Sequence, residues 1–278
     1  MSLRTDIQGE KVLVIKEVKL RGELSEGLLL PPTILNGSDP DSFPCFKFEA
    51  QAKATQTEDA SPEVLAFPQY GSLENLRKCP NFFEENEYVV VTEKIHGTNS
   101  RVGFYVDETG EMVLLAGSRT VNRKAPESDL QRSLYWTPYL GGQVEAFFRD
   151  LVAQGIKSAT VYGEIFGPTV QNYSYGLSNK EINYRAFTLK LNGVIQAPNV
   201  TLDLLKEYNI ETVPVIYQGK YSYSLIQELA ERPTSLVSES FAQHLAEGVV
   251  VQSGDRIAKY VSTNFLLGKS GKNKLSDV

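Results

Sequence analysis

The stretch that most constrains this chain is Val89–Arg101, VVVTEKIHGTNSR. A strand-like run, Tyr88-Val89-Val90-Val91, delivers Glu93 and Lys94 into a short polar turn, Ile95-His96-Gly97-Thr98-Asn99. A second run, Val102-Gly103-Phe104-Tyr105-Val106, leaves it. β-Branched and aromatic residues on both sides predict a strand–turn–strand unit. Lysine is an odd residue at the end of a buried strand, because desolvation penalises its charged form. The same penalty makes the amine a better nucleophile near neutral pH. Taken alone, a turn lysine is more often a solvated residue paired with a neighbour such as Glu93 or Asp107.

Composition narrows the class. At 278 residues, 41% hydrophobic and 22% charged, the chain can bury a sizeable core and is no disordered segment. No apolar run approaches the roughly 20 residues that span a bilayer, and no signal-peptide core stands at the N-terminus. Two cysteines, Cys45 and Cys79, make no disulfide framework and lack metal-ligand spacing. Together these features predict a cytoplasmic protein that does not engage membranes. A net charge of −6 argues against a protein that coats nucleic acid, although it allows a local basic face. The clusters Arg119/Arg123/Lys124 and Lys269/Lys272/Lys274 read as solvated surface. Nothing in these features encodes an oligomeric state.

Along the chain, residues 10–20 read as a strand, and Gly27–Leu30 as a second short one ending at Pro31-Pro32. Residues 1–35 are expected to form an N-terminal β appendage, residues 36–66 a loop or linker, and residues 67–278 the main domain. Leu73–Arg77 reads as an approach segment or as one turn of amphipathic helix. Met112–Gly117, Thr160–Gly167, Arg185–Leu191, Val213–Tyr217, Ala246–Val251 and Ile257–Val261 read as strands. Val144, Phe147, Phe148, Leu151 and Val152 fall at helical spacing, which makes the two phenylalanines core residues. Further helical patterns cover Val200–Tyr208 and Leu225–Ala230.

Lys94, Glu164, Glu247 and Lys259 each lie at or in a β-rich apolar run. A carboxylate among apolar neighbours must pair, bind metal or reach solvent. Strands can focus such groups into one cleft, although each glutamate taken alone is more often a structural ion-pair partner.

The hexapeptide Lys94-Ile95-His96-Gly97-Thr98-Asn99 resembles the nucleotidyl-transferase motif of ATP-dependent RNA ligases, with His96 where DNA ligases and capping enzymes carry Asp. That substitution is typical of the RNA-ligase-2-type branch of the covalent nucleotidyltransferase superfamily. The order of the remaining segments is similar too: Arg119 after the first motif, Tyr162–Gly167 as the third, and Tyr184–Leu189 as the adenine-stacking segment. Glu247–Val250 then resembles the fourth motif and Lys259 the start of the fifth. The resemblance covers about residues 70–268. Arg21–Pro31 is similar to the segment leaving an N-terminal OB module.

The resemblance implies an α+β fold: a nucleotidyltransferase (ATP-grasp-like ligase) domain of antiparallel sheets with flanking helices, plus an N-terminal β appendage resembling part of an OB module. It implies that Lys94 attacks ATP to form lysyl-AMP. Glu247 would hold Mg²⁺ or Mn²⁺, with Lys259 donating to the same phosphate. Glu164 would bind the ribose or share the metal. Phe187 would stack on adenine, Glu93 and Ile95 would frame the purine pocket, and Arg119 and Asn99 would position phosphate or the 3′-terminal ribose. The implied reaction passes AMP to a 5′-phosphate and seals it to a 3′-hydroxyl, in RNA or an RNA-containing nicked duplex, as RNA repair requires. One departure stands out. The fifth motif usually has lysines at alternate positions, whereas Tyr260 and Val261 follow Lys259, so Lys190 or Lys269 would have to supply the second cation. The alternatives are an adenylyltransferase with another phosphorylated acceptor, or a nucleotide- or RNA-binding module without activity.

Overall fold

A computed structural model describes residues 2–5, 11–14, 18–20, 23–25, 59–127, 129–130, 133–237 and 245–267. The chain divides into two compact units, Met1–Glu58 and Asp59–Val278.

In the first unit, β1 (Ser2–Thr5) pairs antiparallel with β2 (Lys11–Val14), and β3 (Val18–Leu20) with β4 (Glu23–Ser25). The single strand expected over residues 10–20 is therefore represented by parts of two hairpins. The strand expected at Gly27–Leu30, and the loop as far as residue 58, lie outside the described residues.

The second unit is built on two sheets. The elements of the larger one are β5 (Ala60–Ser61), β8 (Thr98–Val106), β9 (Met112–Ser118), β10 (Asn122–Arg123), β11 (Ser158–Phe166), β12 (Asn183–Leu191) and β13 (Val194–Ile195). They form seven strands in the order β13-β12-β11-β8-β9-β10-β5, every pairing antiparallel. The smaller sheet contains β6 (Glu74–Asn75), β7 (Tyr88–Lys94), β14 (Val215–Lys220), β15 (Gly248–Ser253) and β16 (Arg256–Val261), in the order β14-β7-β15-β16-β6. Only β6 runs parallel to its neighbour, with Ala258 opposite Glu74 and Lys259 opposite Asn75. Within Leu73–Arg77, Glu74 and Asn75 thus form a short strand with a ladder partner far away in sequence, and a turn follows in which the Asn75 carbonyl accepts from the amides of Lys78 at 2.8 Å and Cys79 at 2.9 Å.

Each sheet buries one face under helices. Val144, Phe147, Phe148 and Leu151 form the apolar stripe of α1 (Gln143–Ala153) and pack with Val102, Phe104, Val161 and Leu189 of the larger sheet. Leu205 of α2 (Pro198–Glu207) joins the same core. Full burial of each such side chain stabilises the fold by about 1.5–3 kcal/mol. Ile226 of α3 (Tyr223–Ala230) packs with Val89, Val91, Val249 and Val251 of the smaller sheet. A third cluster joins Ile95, Phe166, Tyr173, Tyr175, Val213, Val261 and Phe265, the last from α4 (Thr263–Leu266). It gathers the ends of β7, β11 and β16, and so fixes where the two sheets meet.

Arg101 is wholly buried in β8. Its guanidinium donates to the Ser118 carbonyl at 2.6 Å, the Phe67 carbonyl at 2.9 Å and Asn122 Oδ1 at 2.9 Å, and burial lowers its pKa to about 10. The contact with Phe67 ties the chain ahead of Tyr70 down beside the sheet. From there residues 70–73 cross to β6.

Candidate active site

Alternation along β7 decides which side chains face the space between the sheets. Val89 and Val91 enter the core, while Val90, Thr92 and Lys94 line a cavity of about 400 Å³. From the neighbouring strands come Val250 and Gln252 of β15, and Ile257 and Lys259 of β16. The larger sheet contributes Asn99, Glu164, Phe187 and Thr188. A cleft of this size suits a nucleotide-sized ligand.

Lys94 closes β7, and the turn back into β8 needs only Ile95, His96 and Gly97, because Thr98 and Asn99 already belong to β8. Asn99 lies directly opposite Glu164 on β11. The turn passes so close to β11 that a Cβ on Gly97 would stand 2.3 Å from the Ile165 carbonyl oxygen and 3.0 Å from Glu164 Cγ. Glycine is therefore a steric requirement here. Ile95 lines the cavity and reaches into the third core cluster, which anchors the turn.

Glu247 precedes Gly248, which pairs with Lys94 across the ladder. Gly248 has φ +152°, and a Cβ there would meet the Tyr260 carbonyl oxygen at 2.1 Å. The strand thus bends where it presents its carboxylate. Lys94 Nζ donates to Glu247 Oε1. His96 Nδ1 lies 3.6 Å from Glu247 Oε2, within ion-pair reach but too long for a hydrogen bond. Glu247 is 1% exposed, yet its Oε2 has no hydrogen-bond partner. Burial alone would raise its pKa; the attraction of Lys94 and His96 outweighs that and holds it below the usual carboxylate value. Glu164 behaves oppositely. Burial is the main cause, and the charge of Glu247 adds to it, so that its pKa rises to about 8 despite Lys94 and the Gly97 amide.

Phe187 owes its orientation to a β-bulge. Tyr162 pairs with Thr188 and Gly163 with Ala186, which leaves Phe187 as the extra residue of β12. Bulges commonly re-aim a side chain next to a site. Its ring meets that of Tyr70 edge-on, and Tyr70 in turn packs on Tyr162. Tyr70 was not singled out from sequence. Its only signal is that it stands just before the approach segment Leu73–Arg77.

The remaining candidates divide. Arg119 lines the cavity, with its guanidinium donating to the carbonyls of Tyr70 at 3.1 Å and Gly71 at 2.9 Å. Lys259 lines it from β16, between Ile257 and Val261 on the same strand face. Glu93 is among the lining residues, but its carboxylate turns to Arg232, Thr234 and Ser235. Lys190 lies elsewhere, in a separate cavity with Leu65, Pro68 and Asn192, so it does not replace a second cleft lysine. Lys269 is outside the described residues.

The donor set fits a divalent cation. Glu247 offers a buried carboxylate oxygen without a partner, and Glu164 stands in the same cleft. Among the described residues no group of three metal-ligating side chains forms a closed cage. A hard cation held by one or two carboxylates completes its shell with water and phosphate oxygens.

A family model for RNA ligase matches residues 87–261, which is more than half of the chain. No curated protein matches it. Among solved structures, a Naegleria gruberi RNA ligase mutant with ATP and Mn aligns at a TM-score of 0.62 with 18% identity, covering 94% of this chain and 78% of that one. The same ligase with PPi aligns at 0.58 and 19%, with coverage of 94% and 78%. A mutant with AMP and Mn aligns at 0.59 and 17%, with coverage of 96% and 80%. Likeness at this identity shows a shared fold, the α+β architecture of antiparallel sheets expected above. With the matched segment running from before β7 to the end of β16, the chain belongs to the RNA ligase family.

Proposed function

We propose that this chain is an ATP-dependent RNA ligase that works through a lysyl-AMP intermediate on Lys94. The carrying observation is the ion pair of Lys94 with Glu247, a buried carboxylate whose second oxygen makes no hydrogen bond, on the wall of a nucleotide-sized cleft. Solved relatives that hold ATP with Mn, and AMP with Mn, support the choice of nucleotide and metal class.

Phe187 stacks on the base and Asn99 and Arg119 bind at the sugar–phosphate end. Lys94 Nζ, once deprotonated, forms a bond to the α-phosphorus as the bond to pyrophosphate breaks. Lys259 donates to the α-phosphate, and the low pKa of Glu247 keeps it charged and available. Glu247, with Glu164, would hold Mg²⁺ or Mn²⁺, which supplies charge neutralisation at the phosphate. A 5′-phosphate oxygen of RNA then displaces Lys94, and a 3′-hydroxyl displaces AMP to seal the strand. Positioning and charge stabilisation dominate such phosphoryl transfers.

A second reading, adenylylation of a different phosphorylated acceptor, rests on β16. Lys259 is flanked at alternate positions by Ile257 and Val261, so that strand presents one cation where ligases usually present two.

The test is intact mass after incubation with ATP and Mg²⁺, followed by a nicked duplex with a ribonucleotide at the 3′-hydroxyl side. Wild type should gain one adenylyl group and yield joined product, and Lys94→Ala should do neither. Labelling retained in Lys94→Ala overturns the nucleophile assignment. Lysyl-AMP without joining favours the second reading. If pyrophosphate treatment excludes pre-adenylated protein and no adduct forms with Mg²⁺ or Mn²⁺, the ligase reading fails.

A further inference from the structure

Glu93 is consecutive with Lys94, yet it belongs to another network. Strand alternation puts its side chain on the β7 face of Val89 and Val91, away from the cleft face of Val90 and Thr92. It is 1% exposed. Thr234 Oγ1 donates to its Oε1, while the Ser235 amide donates to Oε2 at 2.8 Å and Arg232 Nη1 at 3.3 Å. Arg232 Nη2 also donates to Ser235 Oγ at 2.6 Å, and the Leu236 amide to Thr234 Oγ1 at 3.2 Å, so the turn is knit around the carboxylate. Arg232, Thr234 and Ser235 do not line the cleft.

That turn holds the chain leading to Glu247. Pro233 bridges Leu245, and the Ala246 amide donates to the Arg232 carbonyl at 3.3 Å. Tyr173 donates to the Leu245 carbonyl at 2.6 Å, and the Glu247 carbonyl accepts from the Ser262 amide at 2.9 Å. Glu247 then meets Lys94. The contacts form a closed circuit that leaves β7 at Glu93 and returns to it at the next residue.

We propose that Glu93 is a positioning residue: through the Arg232–Ser235 turn it sets Glu247 against Lys94, and it does not recognise the base. The consequence for catalysis rests on the ligase reading above. Both oxygens of the carboxylate accept from that one turn, and a shift of the turn would move Ala246 and Glu247 directly.

The test compares wild type with Thr234→Val, Glu93→Gln and Arg232→Lys. Lysyl-AMP formation is followed by intact mass over a range of ATP and of GTP. Separately, acetylation of Lys94 by acetic anhydride, without nucleotide or metal, is read by peptide mass spectrometry against the half-buried Lys190. For Thr234→Val and Glu93→Gln we expect the maximal rate of adenylylation to fall about tenfold or more, with the half-saturating ATP concentration and the preference over GTP within about twofold of wild type. Lys94 acetylation should rise several-fold while Lys190 stays unchanged, because the Glu247 partner has loosened. Arg232→Lys should retain most of the activity, and the Glu93→Gln/Thr234→Val double variant should be no worse than the worse single one. A raised half-saturating ATP concentration with an unchanged maximal rate, or a lost preference for ATP, makes Glu93 a purine contact and overturns the proposal. An unchanged adenylylation rate with unchanged Lys94 labelling overturns it too, as does a parallel rise at Lys190, which marks general loosening. If wild type forms no lysyl-AMP, the ligase reading fails and the acetylation alone decides the positioning.

Discussion

Phe187 meets Tyr70 edge-on, with ring centroids 5.2 Å apart and planes at 60°. Tyr70 therefore packs on Phe187 at the wall of the cleft that both residues line. Base–aromatic stacking contributes about 1–3 kcal/mol, so Phe187→Ala should weaken ATP binding roughly 5- to 150-fold. Phe187→Tyr should bind nearly as wild type, and Tyr70→Ala should lie between the two. Nucleotide titration of each variant, with a thermal melt as control, checks the order. Equal affinity for wild type and Phe187→Ala would remove Phe187 from the base pocket.

Glu164 should make the fold sensitive to pH. Its pKa is about 8 in the folded chain and near 4.5 when unfolded, so the folded state keeps a proton that the unfolded state has lost between those values. The stability from this proton is fully present below pH 4.5 and is lost as pH rises through 8. Each pH unit within the window removes up to about 1.4 kcal/mol. Glu164→Gln cannot titrate. Urea unfolding at pH 5.5 and 8.5 should show wild type losing stability relative to Glu164→Gln on going to the higher pH. Parallel curves would contradict the burial of this carboxyl.

Much of this cleft was readable before any coordinates, for reasons that differ by residue. Lys94, Glu164 and Glu247 interrupt apolar strands, and a charge in such a run advertises a site because burial needs compensation. Phe147 and Phe148 sit on one helical face, so their place in the core followed from periodicity. Glu93 shows where local reading stops. Adjacent strand positions point to opposite faces, and the partners of its carboxylate lie about 140 residues away, with no pattern that marks them. Leu73–Arg77 hides the two-residue strand Glu74–Asn75 for the same reason. Its amide at Leu76 donates to the Lys259 carbonyl, a parallel contact that nothing local encodes. Phe187 became legible only through resemblance, since a bulge depends on the register of two strands and not on either alone.

Gly97 should be intolerant of even one methyl group. Overpacking of this kind destabilises by about 1–3 kcal/mol, which for a domain of this size lowers the melting midpoint by roughly 2–10 °C. The larger effect should be on chemistry, because the clash pushes the Lys94 turn away from Glu164, and a shift of about 1 Å can reduce rate by about 100-fold. Gly97→Ala should therefore melt as a folded protein yet form lysyl-AMP at least about tenfold more slowly. Gly71→Ala is the steric control, since a Cβ there meets nothing within 4 Å and stability should stay within about 0.5 kcal/mol. Comparable adenylylation in Gly97→Ala and wild type would mean that the turn can relax freely.

Arg119 fastens the crossing segment by both Nε and Nη2, each to a different carbonyl, and this fork is what lysine cannot copy. Residues 70–73 line the cleft between their hold on Arg119 and the β6–β16 ladder, so the arginine should govern how firmly that wall stays in place. Exposed hydrogen bonds contribute little to global stability, and both Arg119→Ala and Arg119→Lys should unfold within about 1 kcal/mol of wild type. Hydrogen exchange should separate the two functions of this side chain. Amides of Gly71, Ser72 and Leu73 should exchange faster in both variants, because both lose the fork. Strand sealing should fall strongly in Arg119→Ala and only in part in Arg119→Lys, because a retained positive charge still attracts phosphate. If Arg119→Lys protected these amides as wild type does, the fork would not be what holds the segment. If Arg119→Lys sealed no better than Arg119→Ala, the hydrogen-bonding geometry, and not the charge, would be what the reaction requires.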